Sequence, residues 1–320
     1  MPPRSFLLAP LALSAACGEV VAPSPDPIDP DDPGHVVYVD GGSLYRVAAS
    51  AGATPTSLSA ALAPTGDLGP ERRPNLSPDG AWLVFETADL GCPTSACLAV
   101  APIADPGAAA LLTPGGAPID YADNRAAIAD GGATVYFAAT GAGHDRDVFR
   151  TDRTVDGWST PVAVTAASPH PWNDTPRLTL DGGGLVVDCG PEANAGPGGS
   201  LCAVELAGGA VTIALSPDDA PASVTSRGPL HHGSPTADGL IFEADWDGVA
   251  IWRASAGGPV RLTPADVDDD HAPCALADGR LVTLRYVAGA PHLQVMAADG
   301  SGAVVLARPA LGEDDFGCGR

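Results

Sequence analysis

Across 320 residues the chain carries 39 Asp and Glu against 16 positive residues, every one of them Arg, for a formal charge of −23. A surface of that sign repels nucleic acid and anionic headgroups, and without Lys there is no primary amine for Schiff-base chemistry or for a Lys-dependent phosphate loop. Hydrophobic residues make up 45% of the chain but are interrupted by 39 Gly and 33 Pro, so short strands and many turns are expected and no apolar helical period runs far.

At the N-terminus, Arg4, the apolar stretch Ser5 to Ala16 and the small residues before Cys17 read as an export signal, too short to span a bilayer. Leu13-Ser14-Ala15-Ala16-Cys17 resembles a bacterial lipobox, in which the Cys is diacylated and begins the mature chain. It departs from that pattern in placing Leu four positions before the Cys, with Ser14 where Leu is usual; an ordinary signal peptide is the alternative. The expected organisation is a signal peptide over 1–16, a Pro/Asp-rich tether over 17–34 and one folded domain over 35–320. The domain is expected to be monomeric, exported to the periplasm or outer membrane, and joined to the membrane only through lipid on Cys17.

The folded part repeats itself. Arg73-Pro74-Asn75-Leu76-Ser77-Pro78-Asp79-Gly80 leads through a turn into Ala81-Trp82-Leu83-Val84-Phe85, and a third strand follows at Cys97 to Ala101. A weaker copy runs from Ala127-Ile128-Ala129-Asp130-Gly131 into Thr134 to Phe137 and Asp147 to Arg150. Further copies start at Pro176, Pro235 and Pro273, each reaching an Asp-Gly turn at 181–182, 238–239 or 278–279 before an alternating strand. A spacing of roughly 40 to 50 residues signals propeller blades.

These residues resemble the TolB-like, WD40-like (PD40) repeat family, whose blades carry a P-x-x-S-P-D-G turn after the inner strand. The resemblance covers about residues 35 to 320 and implies an all-β fold, a six-bladed β-propeller of four-stranded antiparallel blades. Val36 to Val39 and Leu44 to Val47 lack a preceding turn motif, whereas Asp314-Asp315-Phe316-Gly317-Cys318 echoes Asp269 to Cys274 and then stops. The C-terminus is therefore expected to supply the inner strand of blade one, hiding two sheet edges.

Reserving Cys17 for lipid leaves six cysteines, which suits an oxidising compartment. On the repeat map Cys92 and Cys97 bracket one loop of blade two, Cys189 and Cys202 occupy the same junction in blade four, and Cys274 and Cys318 fall on corresponding inner strands. The expected bridges are 92–97, 189–202 and 274–318; free buried thiols are the alternative.

Residues just before each inner strand should gather at one mouth of the channel: Arg72, Arg73, Asn124, Arg125, Asn173, Asp174, His231, His232, Asp270, His271, Asp314 and Asp315. His231, His232 and His271 are chemically able to hold a divalent metal, and some related propellers that cleave acidic polysaccharides hold one with channel histidines. Asp266, Asp268 and Asp270 alternate as in a calcium loop but lack its Gly and terminal Glu, so a solvated acidic turn is the better reading. No nucleophile elbow, zinc-protease helix or redox Cys-x-x-Cys is present. Trp246 and Trp252 could form a platform, with packing the usual fate of such strand residues, and Trp158 and Trp172 fall in predicted loops. The leading expectation is a cell-envelope lipoprotein that binds a protein or polysaccharide at the channel mouth, without catalysis and without a cofactor. The alternatives are a metal-dependent polysaccharide lyase or hydrolase using those histidines, and a structural component of an envelope complex.

Overall fold

The computed structural model describes residues 34–62, 72–94, 96–119, 126–141, 143–191, 199–264, 269–309 and 315–319. The signal peptide, Cys17 and the tether before Gly34 lie outside the described residues, as do Asn124, Arg125, Asp266, Asp268 and Asp314.

Six antiparallel sheets make six blades. Their inner strands are Phe316–Gly319, Arg72–Leu76, Ala127–Ile128, Trp172–Leu178, Arg227–Thr236 and Asp269–Ala275, in order from blade one to blade six. Each blade then steps outward through a second, third and short outer strand. In blade two these are Trp82–Thr87, Cys97–Pro102 and Ala110–Leu111. Blade three carries one element that sequence reasoning assigned to a loop: Gly157–Trp158 pairs back on Arg153 and Thr154 as a small hairpin.

The ring closes as the repeats imply. Phe316–Gly319 pairs antiparallel with His35–Asp40, matching Tyr38 to Phe316 and His35 to Gly319. The strand starts at Phe316, later than the Asp314 expected from the repeat echo. All three expected disulfides are present, Cys92–Cys97, Cys189–Cys202 and Cys274–Cys318. The last one crosses from blade six to blade one, beside the closing strand.

Strand alternation explains the core. Successive side chains point to opposite faces of a strand, so Val36 and Tyr38 pack against blade six while Val37 and Val39 pack against blade two. Repeated around the ring, this produces six apolar clusters, one at each junction between blades. Trp246 and Trp252 are spent here: both are buried, edge to face at 5.1 Å.

Four inner strands carry a bulge at the same place. The pairing shifts register between Arg72 and Asn75, Asp174 and Arg177, His231 and Ser234, and His271 and Cys274. In each bulge one non-glycine residue is left-handed: Arg73, Thr175, His232 and Ala272, with φ of 49°, 49°, 53° and 49°. That conformation costs about 1–2 kcal/mol per residue, and the bulge turns a backbone N–H out of the ladder. Each turned N–H finds a carboxylate: Arg73 N donates to Asp315 (3.4 Å), Thr175 N to Asp174 (2.6 Å), His232 N to Asp188 (3.2 Å) and Ala272 N to Glu243 (2.8 Å). In three of the four, the acceptor belongs to the preceding blade, so the device also ties blades together.

Phe316 is fully buried at the closing junction. Phe316→Ala is expected to destabilise the fold by about 3–5 kcal/mol, and opening the 44-residue separation by Cys318→Ser by about 4 kcal/mol on the chain-entropy model. Urea denaturation checks both; midpoints equal to wild type would mean that closure is not what holds the ring.

Candidate functional site: the channel mouth

Because all inner strands run the same way around the channel, their first residues share one mouth. Arg72, Arg73, Asn173, Asp174, Asp270, His271 and Asp315 lie at these strand starts or directly before them, whereas His231 and His232 sit in the middle of the longer strand Arg227–Thr236, at the bulge that matches those of the other blades. The bulges place them individually. His231 and His232 are consecutive, yet the left-handed turn at His232 sends the two rings to different acids.

Glu243, on the second strand of blade five, sits between two imidazoles. Its Oε2 accepts from His232 Nδ1 at 3.0 Å and from Ala272 N at 2.8 Å, and its Oε1 accepts from His271 Nδ1 at 3.2 Å. An ionised carboxylate only accepts, so each imidazole carries a proton on Nδ1. Tyr286 stands edge-on to His271 at 5.4 Å between ring centroids. His231 turns instead toward Asp188, with Nδ1 4.0 Å from Oδ2.

The two buried acids respond oppositely. Burial alone pushes both carboxyls up. At Glu243 the hydrogen bonds and charge of His232 and His271 override it and hold the carboxyl well below the ordinary range. At Asp188 burial prevails over attraction from His232 and His231, and its carboxyl is raised. A carboxyl held down and a carboxyl pushed up thus flank His232.

The rest of the mouth is equally tied down. Fully buried Asp270 accepts from Arg285 Nη1 at 3.1 Å and Gln294 Nε2 at 3.2 Å. Asp174 pairs with Arg146 at 3.0 Å, and Arg73 with Glu86 at 3.0 Å. Asn173 donates to the His170 carbonyl at 3.0 Å. Arg72 is exposed opposite Glu86. Trp172 and Trp158 are half-buried under cations, Arg146 at 5.1 Å and Arg153 at 5.2 Å from their ring centroids.

Sequence reasoning missed Glu86, Asp188, Glu243 and Arg285, because they lie on second strands and not at the inner-strand starts. A signal was present: Glu86, Asp188 and Arg285 each stand six residues beyond the turn glycine of their blade, Gly80, Gly182 and Gly279. It also missed Arg177, which lies deeper in the channel.

The three histidines named as metal ligands are not gathered around one point: His232 and His271 share Glu243, whereas His231 faces Asp188. Among the described residues, the group whose ligand atoms lie within 4.8 Å of one another is His170, Cys189 and Cys202. Its two sulfurs are joined in a disulfide, which removes the thiolates a metal would take.

Glu243→Gln leaves two imidazoles and a bulge N–H facing a neutral amide. A loss of about 3–5 kcal/mol is expected at neutral pH, as for one broken partner of a buried ion pair. A carboxyl depressed by folding contributes stability above its unfolded pKa and loses it as pH falls through the folded value. Wild-type stability should therefore decline below the ordinary carboxylate range, and E243Q should show a shallower acid limb. Denaturant titrations between neutral and strongly acidic pH measure both; parallel acid limbs would remove Glu243 from this role.

No protein-family model and no curated protein sequence matches the chain. Solved structures do resemble it. TolB from Acinetobacter baumannii superposes with a TM-score of 0.64 at 16% identity, covering 91% of this chain and 68% of that one. A second TolB-type structure, from Agrobacterium tumefaciens, gives 0.56 at 14% identity, covering 89% and 96%. Hydrazine synthase of Kuenenia stuttgartiensis gives 0.58 at 10% identity, with 89% of this chain matched to 45% of that one. At such identities the likeness is one of fold: the chain is a six-bladed β-propeller closed by its own C-terminal strand, similar in fold to these TolB structures.

Proposed function

We propose that this propeller is an exported binding module of the bacterial cell envelope, lipid-anchored at Cys17, that receives a protein or polysaccharide partner at the mouth bearing His231, His271 and Asp315. The observation that carries this reading is the mouth itself. Strand starts from separate blades converge there, and their charged groups are held by neighbours in fixed positions, so recognition needs little ordering on binding. The likeness to TolB structures supports a protein-binding propeller, and three disulfides suit an oxidising compartment.

A photo-crosslinking residue at His231 should trap a discrete envelope component, while the same residue at Ile213, exposed on an outer strand, should trap none. Equal yields from both positions would overturn the assignment of the mouth. Cys17→Ser should move the protein from the membrane to the soluble periplasmic fraction; an unchanged distribution would remove the lipid anchor. Stoichiometric metal in protein purified without a His-tag, lost on His231→Ala, would favour the metal-dependent enzyme instead.

A further inference from the structure

Three pieces of blade four meet at the Cys189–Cys202 bridge. Cys189 lies on the second strand, Gly184–Gly190, and Cys202 on the third, Ser200–Glu205, while His170 stands on the loop that leads into the inner strand Trp172–Leu178. That loop is pinned on both sides of the imidazole: His170 N donates to Ser168 Oγ at 3.1 Å, and the His170 carbonyl accepts from Asn173 Nδ2 at 3.0 Å. Asn173 is the direct register partner of Cys189. Directly paired residues share a face of the sheet, so the side chain that holds the loop stands on the same face as the bridge.

A ring nitrogen of His170 and both sulfurs lie within 4.8 Å of one another. Both cysteines are fully buried, and His170 Nε2 is buried with no hydrogen-bond partner among the described residues. Buried polar atoms are normally satisfied, and hydrogen bonding does not account for this one. One imidazole and two thiolates form a donor set that suits zinc. Tetrahedral zinc, with Zn–S of about 2.3 Å and Zn–N of about 2.0–2.1 Å, sets its ligand atoms about 3.5–3.8 Å apart, a span that the observed cluster already contains. Neither of the other two bridges, among the described residues, has a third ligand this close.

We infer that the reduced chain holds a zinc ion on His170, Cys189 and Cys202, so that metal and disulfide are alternative staples for blade four. Loading the ion releases the two thiol protons to solvent. Asn173 Oδ1, also buried and without a hydrogen-bond partner among the described residues, offers an oxygen on the same face for the fourth position. The sulfurs are out of reach once the blade has formed, so the choice falls while it folds. A disulfide oxidant settles it by exchange: the two thiolate sulfurs bond to each other, the sulfur–sulfur bond of the oxidant breaks and takes up the electron pair they give, and the ion returns to solvent. The site is on the loop side of one blade and does not depend on a partner at the mouth.

Refolding the fully reduced full chain in an anaerobic, thiol-free buffer with Co²⁺ tests this, because thiolate bound to cobalt absorbs in the near ultraviolet. One equivalent of Co²⁺ with that absorption is expected, displaced by Zn²⁺, and the oxidised protein should take up none. Cys189→Ser should lose the absorption and Cys92→Ser should keep it; Cys202→Ser serves if Cys189→Ser does not refold. His170→Ala should weaken Co²⁺ tenfold or more. Zn²⁺ should also slow oxidation by glutathione disulfide in the wild type and not in His170→Ala. A reduced chain that binds no Co²⁺ or does not refold with it, His170→Ala binding as tightly as wild type, or loss of the absorption in Cys92→Ser would each overturn the inference and leave His170 as a packing residue beside a structural bridge.

Discussion

Everything in this molecule depends on pairing between strands that lie at opposite ends of the chain. His35–Asp40 finds its inner neighbour in Phe316–Gly319, and until it does, blade one lacks its inner strand and blades one and six each expose half an apolar cluster. Closing so long a loop costs chain entropy, but that cost grows only logarithmically with length. It is offset by backbone hydrogen bonds, by burial of Phe316 among side chains of both blades, and by the Cys274–Cys318 bridge. Once closed, every blade has two neighbours with an apolar cluster at each junction, and the junction between blades six and one also carries the Cys274–Cys318 bridge.

The mouth is a product of strain within this regular frame. A strand without a bulge would leave its first residues in the ladder, with alternate side chains buried between blades. Left-handed residues at Arg73, Thr175, His232 and Ala272 break that alternation and aim N–H groups at carboxylates. The carboxylates then draw in imidazole and guanidinium groups, which is how Glu243 comes to sit between His232 and His271. Fold stability and the chemistry of the mouth thus share the same atoms, and substitutions there will register in both.

The blades, their number and the cysteine pairing were legible in the sequence because the repeat supplies a register. Once Asp-Gly turns are aligned, Cys274 and Cys318 fall on equivalent strands. Acids on the second strands were harder to read. Asp188 follows Val186-Val187 and Glu243 follows Ile241-Phe242, where alternation assigns each to a buried face and gives no hint of its partner. The bulge N–H of the adjacent blade and, at Glu243, the imidazoles of His232 and His271 are tertiary features that make a buried carboxyl tolerable at those positions. Arg177 was hidden for a related reason: it follows Pro176 as Asn75 follows Pro74, and only the closed ring brings these two side chains together across the channel.

Gly34 rests against Gly319 and Leu276, and His35 pairs with Gly319. The chain thus joins its first blade at the channel end lined by Gly319, while Asp315, at the start of the same inner strand, marks the other end of the channel. The propeller consequently has a polarity relative to whatever precedes it. In the lipid-anchored form proposed above, the tether would enter the propeller at the end that carries Gly34 and Gly319, opposite the histidine-bearing mouth.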